Sequence, residues 1–251
     1  MSNKIAIITG GSRGLGRDMA LNLAKNGVDI IFSYHTNKEK ANEVISKIEA
    51  LGQKVCAFSF NANDYKTGQA FIDKVINYLQ KENGNANFDF LINNAGTGTY
   101  NLVLDTTEAQ FDEMMHVHLK SVYFLTQAAL PYLNKGGRIV NISSGLTRFS
   151  LAGMSAYAMM KGGIEVFTRY LAKELGQRKI TANVVAPGAI ATDFAGGSNK
   201  EEKKASIISN ITALGRVGEV EDIGGIVAFL CSDKAGWING QRIEASGGML
   251  V

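Results

Sequence analysis

Tyr157 and Lys161 stand four positions apart, the spacing that sets two side chains on one face of a helix. A tyrosine that exchanges a proton near neutral pH must overcome a free pKa of about 10. A neighbouring ammonium favours the phenolate and draws that value towards the working range. Ser144 lies thirteen positions before the tyrosine, just past an apolar run that starts at Arg138. Delivered from a strand end, its hydroxyl can bind the same oxygen that Tyr157 protonates. Tyr157 and Lys161 also have a plain reading, a solvated tyrosine beside a surface lysine. The rest of the chain decides between the two.

Short apolar runs alternate with longer amphipathic ones. Expected strands are 4–9, 28–34, 54–59, 88–93, 138–143, 180–185 and 241–244. Expected helices are 14–26, 38–51, 65–82, 108–133, 154–176, 201–211 and 220–230. The strand segments are nearly continuous apolar runs, so both faces of their sheet should be covered by helices. Strict alternation predicts an α/β fold, a single doubly wound Rossmann-type domain spanning 1–251 with a mostly parallel seven-stranded sheet. The hydrophilic stretch within about 193–212 is expected to form a flap over a site.

The 251 residues suffice for one α/β domain with a well-buried core. A net charge of +3 with no basic tract argues against nucleic acid and anionic membrane as partners. No apolar stretch reaches the length of a membrane span, and the N-terminus lacks a signal-peptide pattern. Cys56 and Cys231 are isolated in apolar segments, the usual setting of reduced core thiols. A cytoplasmic protein is expected.

Thr9-Gly10-Gly11-Ser12-Arg13-Gly14-Leu15-Gly16 directly follows the first apolar run and opens a helix. In that context Gly10 permits a tight turn, Gly14 lets backbone approach a pyrophosphate, and Gly16 allows close packing of helix on strand. Free N–H groups at the helix start can hold the phosphate charge. The spacing G-x-x-x-G-x-G differs from the G-x-G-x-x-G fingerprint.

Taken together, these segments resemble the short-chain dehydrogenase/reductase family over essentially the whole chain. The Thr9–Gly16 stretch is similar to its cofactor loop, and Asn93-Asn94-Ala95-Gly96 to its NNAG segment. Ser144, Tyr157 and Lys161 match its catalytic serine and Y-x-x-x-K. Pro187-Gly188-Ala189-Ile190-Ala191-Thr192 resembles its PG-x-x-x-T loop, and Ser246-Gly247-Gly248 stands where DGG is frequent. The resemblance implies a nicotinamide cofactor over Gly14 and Gly16. Adenine would lie near Asn61 and Ala62, ribose near Asn93, and nicotinamide near Pro187 and Gly188. Ala95, Gly96, Ile190 and Thr192 would line the same site. It also implies that Tyr157 donates the proton to a carbonyl that Ser144 orients. Lys161 would hold the nicotinamide ribose and keep Tyr157 acidic. The family's long-helix asparagine, whose backbone carbonyl holds a water, aligns with His118. His116 and His118 sit two apart on a helix and so face differently, which argues against a metal.

The second strand ends Ser33-Tyr34-His35 with no carboxylate to take ribose hydroxyls, while Arg13 lies inside the glycine loop. This favours NADP(H), with Ser33, Tyr34 or His35 adding hydrogen bonds and NAD left as an alternative. The expected activity is carbonyl reductase or alcohol dehydrogenase, acting on a small ketone or secondary alcohol. Phe149, Leu151, Met154 and the 194–211 region are expected to line its pocket. One rival is a carrier-bound 3-oxoacyl reductase with a basic docking patch, to which Arg148, Arg169 and Arg178 could contribute. The other is a non-catalytic NADP-binding regulatory protein. The apolar 108–133 and 154–176 segments, which family members pair between subunits, imply a homotetramer or failing that a dimer.

Overall fold

A computed structural model describes residues 3–251 of the chain. Seven strands form one sheet: β1 Ile5–Ile8, β2 Asp29–Tyr34, β3 Val55–Ser59, β4 Phe88–Asn93, β5 Leu133–Ile142, β6 Thr181–Pro187 and β7 Arg242–Ala245. Their spatial order is β3-β2-β1-β4-β5-β6-β7, and all neighbours pair in parallel. The sheet is thus wholly rather than mostly parallel. Successive strand residues point to opposite faces, and both faces are dry. Ile8, Phe32 and Ile92 pack with Met19, Leu23 and Val227 on one side. Ile7, Ile31 and Leu91 pack with Ile72, Leu125 and Leu171 on the other. That double burial is why the strands read as unbroken apolar runs.

The helices are α1 Gly14–Lys25, α2 Lys38–Glu49, α3 Gly68–Asn83, α4 Glu108–Met115, α5 Ser121–Ala129, α6 Ser155–Glu174, α7 Glu202–Asn210 and α8 Glu221–Leu230. The helix expected over 108–133 is broken. A π-helical turn, His116–Lys120, separates α4 from α5. The helix then stops at Ala129, where Leu130-Pro131-Tyr132 form a 3₁₀ turn. Pro131 has no N–H to give to a carbonyl one turn back, so the α-helical ladder cannot run on through it. β5 accordingly starts at Leu133, five positions earlier than the apolar run, with a register irregularity opposite Phe88 and Phe90. The first turn of the helix expected at 65 is a separate 3₁₀ turn, Tyr65–Thr67.

In a parallel sheet all carboxyl ends lie on one edge, and ligands bind there, outside the switch point. β1 has β2 on one side and β4 on the other, so chain direction across the sheet reverses at β1/β4. The glycine loop, Asn93–Gly96, Ser144 and Pro187–Thr192 all follow strand ends on that edge.

Candidate active site

Ser144 follows β5 directly, and its Oγ accepts from the Leu146 N–H at 3.2 Å, capping a 3₁₀ turn. Tyr157 lies in the first turn of α6, and Lys161 one turn further along. All three are buried, Lys161 at only 4% exposure. The Lys161 ammonium donates to the Ile142 carbonyl at 2.7 Å and lies 5.6 Å from the Tyr157 ring centre. β5 and α6 therefore bring serine, tyrosine and lysine into one buried cluster.

Burial raises the Tyr157 pKa above its ordinary value, and a hydrogen bond with Ser144 opposes this only in part. Burial also draws Lys161 down to about 7. The spacing of Tyr157 and Lys161 predicts an ammonium that acidifies the tyrosine. In the folded protein desolvation governs both groups, and the lysine itself approaches neutrality. Tyr157 is consequently held as the protonated phenol.

His118 sits in the π-helical turn, fully buried. Its Nε2 is 2.7 Å from the Thr97 carbonyl, so the proton is on Nε2. Nδ1 has no hydrogen-bond partner. The ring meets Tyr157 edge-on, with centroids 5.0 Å apart. Burial, and then the Lys161 charge, push its pKa well below the usual histidine value, against the Thr97 bond. His118 is thus neutral and wedged between Thr97 and the tyrosine. His116 turns elsewhere, onto the Tyr65 ring. Among the described residues, no group of three or more His, Cys, Asp or Glu side chains is placed to hold a metal ion.

The glycine loop is held by groups from two other strands. Gly10 and Gly14 have positive φ, +69° and +51°, which glycine tolerates best. A Cβ on Gly16 would collide with the Gly10 carbonyl. Ser33 Oγ accepts from Gly10 N–H at 3.0 Å, so this buried serine supports the loop instead of facing a phosphate. Asn94, which the sequence argument left unused, donates from Nδ2 to the Thr9 and Gly10 carbonyls. Thr9 Oγ1 accepts in turn from Asn94 and Ala95 N–H groups at 3.0 Å. The Asn93 side chain does not face the cleft. It is buried against Thr126 Oγ1 and Asn141 Oδ1, at 3.0 and 2.8 Å, in a polar thread that ends on Thr168.

The remaining candidates ring this edge. Arg13 is exposed at the start of α1, with Ser12 and Leu15 half-buried beside it. His35 is exposed, and Tyr34 is half-buried at the end of β2. Asn61 is exposed and its Oδ1 accepts from Asn63 N–H, while Ala62 packs on the core. Gly96 abuts His118, and Gly188 abuts Ser246. Ile190 is buried. Thr192 reaches across to Gly14, 3.7 Å from the place of a Cβ. The first turn of α1 has neither a side-chain cap nor an acidic residue, so its amides remain for an anion. A bare helix start under positive-φ glycines fits a dinucleotide pyrophosphate.

A family model described as enoyl-(acyl carrier protein) reductase matches residues 10–250. A 3-oxoacyl-[acyl-carrier-protein] reductase of Staphylococcus aureus is 37% identical over 250 residues, covering 99% of this chain and 98% of the relative. The chain belongs to the short-chain dehydrogenase/reductase family. Among solved members is the angucycline C-6 ketoreductase LanV with bound NADP, 35% identical with a TM-score of 0.94, covering 98% of this chain and 95% of that one. The promiscuous reductase LugOII, which catalyses keto-reduction at C1 during lugdunomycin biosynthesis, matches with the same identity and TM-score, covering 100% and 99%.

Behind Ser144 of this short-chain dehydrogenase/reductase lies an ion-pair chain that spacing alone did not reveal. Glu165 Oε1 accepts from Ser143 Oγ, Thr147 Oγ1 and Arg242 Nε at 2.7–2.8 Å. Arg242 continues to Glu244 at 2.8 Å and to the Ser144 carbonyl at 3.3 Å. Arg148 grips Glu244 through two bonds and binds the Met249 and Leu250 carbonyls. Ser246, in the place of the family's aspartate, donates to Glu244 at 2.6 Å. Arg178 instead caps the Leu130 and Leu133 carbonyls, at the opposite end of β5 from Arg148. The two arginines therefore cannot belong to one compact docking patch.

Proposed function

We propose that this reductase carries out NADPH-dependent reduction of a ketone to a secondary alcohol, with Tyr157 as general acid. The buried Ser144–Tyr157–Lys161 cluster beside the glycine loop carries this reading. The nicotinamide supplies hydride when bound. Gly14, Gly16 and the start of α1 would hold its pyrophosphate, and Pro187–Thr192 would flank the ring. Ser144 Oγ and Tyr157 Oη converge on the carbonyl oxygen, and the phenol proton passes to that oxygen as charge develops on it. Lys161, with a pKa of about 7, can return a proton to the tyrosine at neutral pH. His118 excludes water from one side of the Tyr157 ring and holds Thr97. The preference for NADPH is supported by Arg13, by the absence of a carboxylate at the end of β2, and by relatives solved with NADP or NADPH.

A small recess lined by Thr99, Asn101, Gln110, Met114 and Gly153 adjoins Tyr157. Phe194 of the 194–200 turn lies over the same ring at 5.6 Å. These surroundings suit a ketone with an apolar body and a few polar substituents. The Staphylococcus relative favours 3-oxoacyl thioesters as a second substrate class. NADPH consumption with a panel of cyclic ketones and 3-oxoacyl thioesters separates the two. Tyr157→Phe should lose at least about a hundredfold in kcat while its dissociation constant for NADPH stays within about twofold. Near wild-type turnover in that variant would remove Tyr157 from the chemistry. Binding without turnover of any carbonyl by the wild type would favour the regulatory reading.

A further inference from the structure

Asp193 stands where cations from separate elements meet. Its Oδ1 is 2.6 Å from Lys200 Nζ, and its Oδ2 is 3.9 Å from Lys40 Nζ in the first turn of α2. Lys200, then Lys40 and Arg13, hold its carboxyl below the ordinary carboxylate range. The preceding residue, Thr192, is the one that reaches Gly14. Asp193 therefore lies at the lip of the glycine loop, between the starts of α1 and α2. Those two helices follow the adjacent strands β1 and β2, whose carboxyl ends flank the adenosine side of such a cleft. No chemistry proposed above uses Lys40 or Asp193.

We propose that Lys40 joins Arg13 in binding the 2′-phosphate of NADP(H), and that Asp193 occupies this place in the free protein. The inference rests on the NADP reading above. A flexible ammonium and a guanidinium on adjacent helix starts suit a phosphate dianion, which accepts several charge-assisted bonds at once. The carboxylate offers a weaker substitute. Its ion pairs are about half exposed, and such pairs are screened and easily exchanged. The phosphate displaces Asp193 from Lys40, and the adjoining Phe194, which rests on Tyr157, loses one of its tethers. Cofactor capture at the adenosine end thereby loosens the residue that covers the catalytic tyrosine.

The test is calorimetric titration of the full chain with NADP⁺ and NAD⁺, which reads affinity without turnover. Lys40→Gln should weaken NADP⁺ about tenfold and leave NAD⁺ within about twofold, with Lys40→Arg restoring most of the loss. Asp193→Asn should tighten NADP⁺ about two- to fivefold, with NAD⁺ again unchanged. Equal effects of Lys40→Gln on both dinucleotides, or none on either, would overturn the role of Lys40. Unchanged or weakened NADP⁺ binding by Asp193→Asn would overturn its role as place-holder. The NADP reading fails separately, when the wild type binds both dinucleotides alike and Arg13→Gln changes neither.

Discussion

At the residue scale the decisive feature is a lysine buried to the point of losing its charge. Lys161 titrates near 10.5 when exposed and at about 7 in the fold. Between those values the unfolded chain binds a proton that the native chain does not, so stability rises with pH through that window. Below about pH 7 both states are protonated, and the full cost of burying the ammonium is present. The slope due to one such proton is bounded by about 1.4 kcal/mol per pH unit. Lys161→Met should flatten the rise of denaturant stability between pH 7 and 10 and abolish turnover. An unchanged stability profile would mean that Lys161 stays charged through its bond to Ile142. The lysine's position was legible from Y-x-x-x-K, but its ionisation was not. Desolvation depends on which residues close over the side chain, and spacing carries no such information.

At the element scale two pieces of non-ideal structure set the site. The π-helical turn carries His118 inward onto Tyr157, and nothing in its composition distinguishes it from the α-helix on either side. Burial and the Lys161 charge favour the neutral form of His118, so turnover should show no His118-dependent ionisation near the ordinary histidine pKa of about 6.5. His118→Asn should keep substantial activity with the same pH profile. An ionisation present in the wild type and lost in this variant would make the imidazole a proton carrier. The second piece is the Glu165–Arg242–Glu244–Arg148 chain, which ties β7 and the last residues to the Ser144 turn. Arg148, Glu165 and the Arg242–Glu244 pair come from three separate stretches of the sequence, which hid their connection from a reading by local spacing. Arg148, foremost among its partners, holds Glu244 near pKa 2 against an ordinary 4.5. The resulting stabilisation is complete above about pH 4.5 and is lost as pH falls towards 2. Glu244→Gln leaves two guanidiniums facing one neutral amide. It should cost about 1–3 kcal/mol in thermal or denaturant unfolding at pH 7. A cost below about 0.5 kcal/mol would show that the chain is only surface decoration.

At the scale of the whole molecule, the alternation of apolar and amphipathic segments foretold the sheet because its central strands are dry on both faces. What alternation could not show is which apolar side chains the fold leaves uncovered. Met159, Val166 and Tyr170 form one stripe along α6, exposed at 62%, 45% and 63%. Tyr123 and Phe124 of α5 lie alongside, with Tyr123 against Phe167 at 4.8 Å. Phe229, Trp237 and Val251 are also exposed, in the segments that flank β7 in sequence at the far edge of the sheet, with Trp237 99% exposed. Exposed apolar patches of this kind mark association surfaces. Two distinct self-complementary faces close a tetramer with dihedral symmetry, whereas one face closes only a dimer. Light scattering should therefore report a homotetramer at micromolar concentration. Tyr170→Glu with Val166→Glu should reduce it to a dimer held through the β7 edge, and Trp237→Glu to a dimer held through α5 and α6. A wild-type monomer would refute both faces. A tetramer that survives both sets of substitutions would place the contacts elsewhere on the molecule.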